Sequence, residues 1–144
     1  MQRVDVTRDL RADRAAVFAY LSDHANLGPL LGAKVRRVRD GSPDVNGAGS
    51  VRELKVGPLP PFEETNLEVV PGALIRYRIT KGGVLKSHEG VQTFSDAPGG
   101  GCRVAWTITF DGKLPGTGRL VALALTRSIT NGLAALDGKL AATR

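Results

Sequence analysis

Residues 117–140 read TGRLVALALTRSITNGLAALDGKL, and the spacing of the apolar positions in this stretch decides how the rest of the chain must be arranged. Val121, Ala124, Leu125, Ile129, Gly132, Leu133, Leu136 and Leu140 recur at helical spacing on one side, while Arg119, Arg127, Asn131 and Asp137 lie mostly on the other. Pro115 and Gly116 precede the run and mark its start. At about 1.5 Å per residue its 24 residues reach roughly 36 Å, enough to cross a whole small sheet. Such a helix needs a large apolar partner surface, which the preceding chain must supply.

Working back from Thr117, the period changes from helical to alternating. The runs KVRRVR, SVRELKV, EETNLEVV, LIRYRIT, VLKSHEGVQTFS and CRVAWTITFD between Lys34 and Asp111 predict six strands. They are divided by DGSPDVNGAG, GPLPP, PG, KGG and DAPGGG, links of turn composition with no room for crossover helices. The sheet is therefore expected to be continuous and antiparallel. QRVDVTRDL sets Val4, Val6, Arg8 and Leu10 against Arg3, Asp5, Thr7 and Asp9, which adds a first, half-buried strand. A helix follows in ADRAAVFAYLSDH, with Asp13 as cap or first-turn acid and Val17, Phe18 and Leu21 at helical spacing. ANLGPLLGAK, broken by Gly28 and Pro29, predicts a short second helix or helical turn ending at Gly32.

The fold class is thus α+β: a curved seven-stranded antiparallel sheet wrapped around a long C-terminal helix, with two short helices between the first and second strands. A strongly curved sheet leaves a gap between its concave face and the helix, and that gap is the candidate binding site.

Composition sets the frame for function. The chain has 144 residues, 42% hydrophobic and 24% charged, which suits one compact domain over residues 1–144. MQRVDVTRDLRADR is interrupted by charges and no later stretch approaches a membrane span, so a soluble, cytoplasmic protein without integral membrane association is expected. The single cysteine, Cys102, has no disulfide partner and no local base, and is read as a small buried residue. The net charge of +6 gathers partly in KVRRVRD, but strand alternation splits its arginines between two faces, and no stacking aromatics are interleaved. Nucleic acid is accordingly not an expected partner. Two histidines without a ligating constellation argue against a metal, the glycines of DAPGGGC precede a strand and make no phosphate cradle, and no cofactor is expected.

The order of elements resembles the START-like, or SRPBCC, helix-grip superfamily, and specifically its polyketide cyclase/dehydrase-like branch. The matching stretches are RAAVFAYLSDHANL, VVPGALIRYRIT, and GGGCRVAWTITFD, the last similar to the family's Gly-x-x-Val-x-Trp strand. The likeness spans nearly the whole chain, although NLGPLLGAK lacks the tryptophan that members often carry there. Membership implies a cavity for a small, mainly apolar molecule such as a lipid, polyketide or aromatic metabolite, without a fixed activity.

Strand parity nominates the wall of that cavity. His88, Gly90, Gln92 and Phe94 share one face, and Val104, Trp106, Ile108 and Phe110 form the apolar face of the next strand. A packed core would penalise an unpaired imidazole and amide by a few kcal/mol, whereas a lumen with ligand or water satisfies them. Gly90 is expected to assist curvature by bending its strand. Ile75, Tyr77 and Ile79 face inward against Arg76 and Arg78; Glu63 and Thr65 share parity with Leu67 and Val69; Arg52 shares parity with Leu54 and Val56. Arg52 and Glu63, if both inward, would pair. Leu125, Ile129 and Leu133 close the lumen from the last helix.

Each nomination has a plainer rival. His88 is either a ligand contact or a histidine satisfied by a neighbour, Trp106 reads first as core, Glu63 and Arg52 as a rim pair, and His24 as a surface or capping residue. Three functions follow. The first is a binding protein for a small hydrophobic ligand, acting as monomer or homodimer, with His88 and Gln92 orienting a polar end. The second, suggested by the resemblance, is a cofactor-free cyclase, dehydratase or isomerase in which His88 or Glu63 removes a proton and Tyr77 or Arg52 steadies the oxyanion. The third is an interaction module with a filled core.

Overall fold

The computed structural model describes residues 1–142. Its elements are β1 (Gln2–Leu10), α1 (Arg14–Ser22), α2 (His24–Leu31), β2 (Lys34–Arg39), β3 (Val51–Lys55), β4 (Phe62–Val70), β5 (Leu74–Gly82), β6 (Leu85–Asp96), β7 (Cys102–Gly112) and α3 (Thr117–Ala142). The strands form one seven-stranded sheet in the order β1-β7-β6-β5-β4-β3-β2, and every pairing is antiparallel. Sequential hairpins account for β2 to β7, and β1 closes beside β7 because its alternating face, Val4, Val6 and Leu10, is buried with Val104, Trp106 and Ile108.

Local chemistry sets the helix boundaries. Asp13 caps α1 by accepting from the Ala16 N–H at 2.8 Å, Asp23 caps α2 through Ala25, and Gly32 ends α2 in the left-handed region at φ 69°. α3 packs on β1, β7 and α2, with Ile129, Leu133 and Leu136 buried. Gly132 allows the approach to α2: a Cβ there would stand 2.7 Å from the Leu30 carbonyl oxygen.

The two halves of α3 differ. The C-terminal half belongs to the packed core, whereas Leu120, Leu123 and Ala124 in the N-terminal half are exposed. A straight helix laid across a curved sheet touches it at one end and spans a space at the other.

Of the four register shifts among the described strands, two re-aim side chains at the concave face. On β4, Asn66 pairs with Tyr77 and Glu68 with Arg76, so Leu67 is an extra residue and the parity inverts across it. On β6, a register shift between Lys86 and Glu89 leaves Ser87 at φ 54° and brings both Leu85 and His88 to the buried face.

Candidate functional site

Beneath the N-terminal half of α3 lies a cavity of about 330 Å³, within the range of small-molecule sites. Val121, Ala124, Leu125, Ser128 and Ile129 form its roof, and β3 to β7 its floor. The exposed lining residues, Val56, Leu59, Pro60 and Ala124, lie on the β3–β4 loop and α3 and so mark the opening.

Of the residues nominated from sequence, Arg52, Tyr77, Ile79, His88, Gln92, Trp106, Ile108, Leu125 and Ile129 line this cavity. Four others do not. Phe110 and Leu133 are fully buried, but in the packed core away from the lumen, because α3 has descended onto the sheet by Leu133. Glu63 and Thr65 point to the other face of the sheet, where Glu63 lies 4.0 Å from Lys81 Nζ and Thr65 meets the Thr80 hydroxyl at 2.8 Å. Parity carried back from Val69 through Leu67 misassigns them, since the bulge at Leu67 exchanges the faces. Glu64 and Asn66 occupy the inward positions instead, and both line the cavity.

The partner of Arg52 is therefore Glu64, not Glu63. Arg52 Nε and Nη2 reach Glu64 Oε1 at 3.0 and 2.9 Å, in a pair whose side chains are 5% and 11% exposed. Arg52 Nη1 donates to Asn66 Oδ1 at 3.2 Å and to His24 Nε2 at 3.3 Å. His24 is thus a buried member of this network, and its position as first residue of α2 after the Asp23 cap turns it under β3. Desolvation by burial first, and the Arg52 and Arg37 charges next, hold its pKa down to about 3, so it is neutral.

His88 owes its state to the irregularity beside it. The β5–β6 ladder pairs Leu74 through Tyr77 with Thr93 through Gly90, and beyond it the Ile79 N–H donates to His88 Nδ1 at 2.9 Å. The imidazole thereby satisfies a backbone donor. Nδ1 must carry the lone pair, which in a neutral ring places the proton on Nε2. Burial lowers the His88 pKa against the opposing pull of Glu64, consistent with a neutral ring. Nε2 faces Glu64 Oε2 at 3.9 Å, too far for a hydrogen bond.

Deeper along the floor, Trp106 Nε1–H donates to the Tyr77 hydroxyl at 2.9 Å, and Arg52 lies 5.0 Å from the centre of the Tyr77 ring. Burial chiefly raises the Tyr77 pKa, keeping the phenol protonated. Gly90, opposite Tyr77 in the ladder, leaves room for this ring; a Cβ there would fall inside it. Gly90 thus has a packing role at this ring that parity alone did not indicate. Gln92 is 3% exposed, and its Oε1 has no hydrogen-bond partner among the described residues.

The site as a whole is an apolar chamber with a polar floor whose charges cancel: Arg52 against Glu64, with both histidines neutral. Among the described residues, no three His, Cys, Asp or Glu side chains gather closely enough to hold a metal ion. No described helix is long and apolar enough to cross a membrane.

Comparison with known proteins agrees with this architecture. A family model described as "Polyketide cyclase / dehydrase and lipid transport" matches residues 1–141. The fold is similar to that of the Zhui aromatase/cyclase from Streptomyces sp. R1128, with TM-score 0.79, 16% identity, and coverage of 96% of this chain and 93% of that one. It is also similar to a protein of Thermus thermophilus, with TM-score 0.78, 21% identity and 99% of each chain covered. Norcoclaurine synthase from Thalictrum flavum, solved with dopamine and hydroxybenzaldehyde, superposes with TM-score 0.73 at 16% identity, covering 99% of this chain and 87% of that one. No curated protein matches the sequence significantly.

Proposed function

The chain belongs to the polyketide cyclase/dehydrase and lipid-transport family, and from that premise we propose that it binds a small, mainly hydrophobic molecule in the cavity under α3. The observation that carries this reading is a chamber of about 330 Å³ with mostly apolar walls, whose charged, imidazole and amide groups lie on its floor. Such a lining favours an apolar body with a few polar atoms and disfavours a highly charged guest. Native mass spectrometry of the purified protein is expected to show a retained small molecule or uptake of an added aromatic compound. Trp106, the only tryptophan, lines the cavity and reports occupancy by fluorescence. Protein that stays empty, with Trp106 emission unmoved by apolar compounds, would overturn the reading.

A second reading, cofactor-independent cyclisation, dehydration or isomerisation, draws on one feature. Glu64 and His88 share the cavity with the Tyr77 phenol, a set that offers a base, an N–H donor and a hydroxyl near a bound carbonyl. Under this reading Glu64→Gln and His88→Ala remove turnover of a poly-β-ketone while circular dichroism stays unchanged, and undiminished rates would eliminate it.

A further inference from the structure

Two atoms on the cavity floor are chemically complementary and yet out of reach of each other. Glu64 Oε1 is occupied by Arg52, but Oε2 is turned towards His88. The His88 proton is placed on Nε2 by the Ile79 N–H, so a donor and an acceptor stand 3.9 Å apart, beyond direct hydrogen-bond distance. One oxygen atom offset from the line between them lies within hydrogen-bond distance of both, accepting from Nε2–H and donating its own proton to Oε2. Among the oxygen groups of a guest molecule, the hydroxyl has both capacities on one atom. A carboxylate has no proton to give, and it would meet Glu64, whose own charge is already balanced by Arg52.

Gln92 supplies a second, independent observation. Its buried Oε1 lacks a partner among the described residues, and the residue lines the same cavity four positions along β6 from His88, about 13 Å in extended strand. A buried amide oxygen without a partner is unfavourable unless a guest completes it.

We propose that the cavity selects an uncharged, elongated apolar molecule with a hydroxyl seated between His88 Nε2 and Glu64 Oε2 and a second hydroxyl at its far end donating to Gln92. Phenols, enols and alcohols meet the first requirement; fatty acids and amines do not. The inference rests on the ligand-binding reading above and names the chemistry of that same site.

The experiment is a titration of the intact protein, followed by Trp106 fluorescence and by calorimetry, with trans-stilbene, 4-hydroxystilbene, 4,4′-dihydroxystilbene and stilbene-4-carboxylate. Affinity is expected to rise about tenfold with each hydroxyl, the size of one well-made hydrogen bond, and to fall below that of stilbene for the carboxylate. In Gln92→Leu the dihydroxy compound loses its advantage over the monohydroxy one while the first step is kept. His88→Leu, checked for folding by circular dichroism, removes the first step. Equal affinities for stilbene and both hydroxystilbenes, or tightest binding of the carboxylate, overturn the inference and leave the binding reading standing. If none of the four binds, the inference falls, and the binding reading falls with it when the purified protein also proves empty.

Discussion

His24 enters the folded protein neutral, with its Nε2 accepting from Arg52 and its pKa lowered to about 3 from an ordinary 6.5. The unfolded chain binds a proton at this residue as pH falls through 6.5, and the folded one does not until about 3, so its contribution to stability is full above 6.5 and is lost between those values. His88 is displaced in the same direction, whereas the lowered Asp137 acts mainly below its ordinary 3.8. Urea midpoints are therefore expected to fall between about pH 7 and about pH 4. In His24→Gln, which keeps an acceptor for Arg52, the slope should flatten by about 1 kcal/mol per pH unit or less. An unchanged slope would show that His24 is protonated in the fold. The neighbouring ion pair makes a sharper demand. Arg52→Met leaves Glu64 buried and alone, with an expected loss of roughly 3–5 kcal/mol, while the double change Arg52→Met with Glu64→Leu recovers most of it by removing both charges. Equilibrium unfolding of the single and double variants checks this.

Among the elements, the bulge in β4 and the glycines of β6 and α3 have consequences out of proportion to their size. Leu67, one residue without a ladder partner, turns Glu64 and Asn66 into the cavity and sends Glu63 and Thr65 to the other face. Deleting Leu67 would restore strict alternation and force either the Glu64 or the Val69 end of the strand to the wrong side, and the expected outcome is loss of cooperative unfolding. Gly132 is the point where α3 meets the Leu30 backbone, and Gly132→Ala, despite a better helix propensity, is expected to destabilise by about 1–3 kcal/mol through overpacking. A thermal midpoint at or above that of the unaltered protein would mean that α2 yields easily. The Gln92 position predicts the opposite sign. Gln92→Leu removes a buried amide oxygen that has no partner among the described residues, so the empty protein should gain stability even as it loses ligand contact.

For the whole molecule, folding and binding draw on the same space. The core is continuous from β1 through β7 to the C-terminal half of α3, and the cavity occupies the region where the N-terminal half of α3 stands away from the sheet. A ligand at about a hundred times its Kd should add about 2.7 kcal/mol to the native state, a rise in Tm of roughly 5–10 °C. Val121→Phe, which projects a ring into the chamber from its roof, should keep or raise the Tm of the empty protein and abolish the ligand-dependent rise. A rise of undiminished size would locate the guest outside this chamber. Scanning calorimetry with and without ligand separates these outcomes.

Element order and type were legible in the sequence because each depends on a local period. The alternation in CRVAWTITFD and the helical spacing after Thr117 need only neighbours along the chain to be read, and so does the inward face of β6 after His88. That local pattern also sufficed to place Arg52, Tyr77, His88, Gln92 and Trp106 on the wall. It did not suffice for Glu64, Asn66 and His24. A bulge shifts parity without any compositional mark, and EETNLEVV presents two adjacent glutamates of which alternation could select either; the apolar Phe62, in phase with Glu64 and Asn66, was the one usable hint. His24 is buried because α2 folds under β3, and the state of His88 follows from a backbone N–H on β5 beyond the end of a ladder. Those are contacts between segments far apart in sequence. Periodicity determined which face of each strand could be wet or dry, and only packing in three dimensions decided which charge meets which, and where a hollow was left between them.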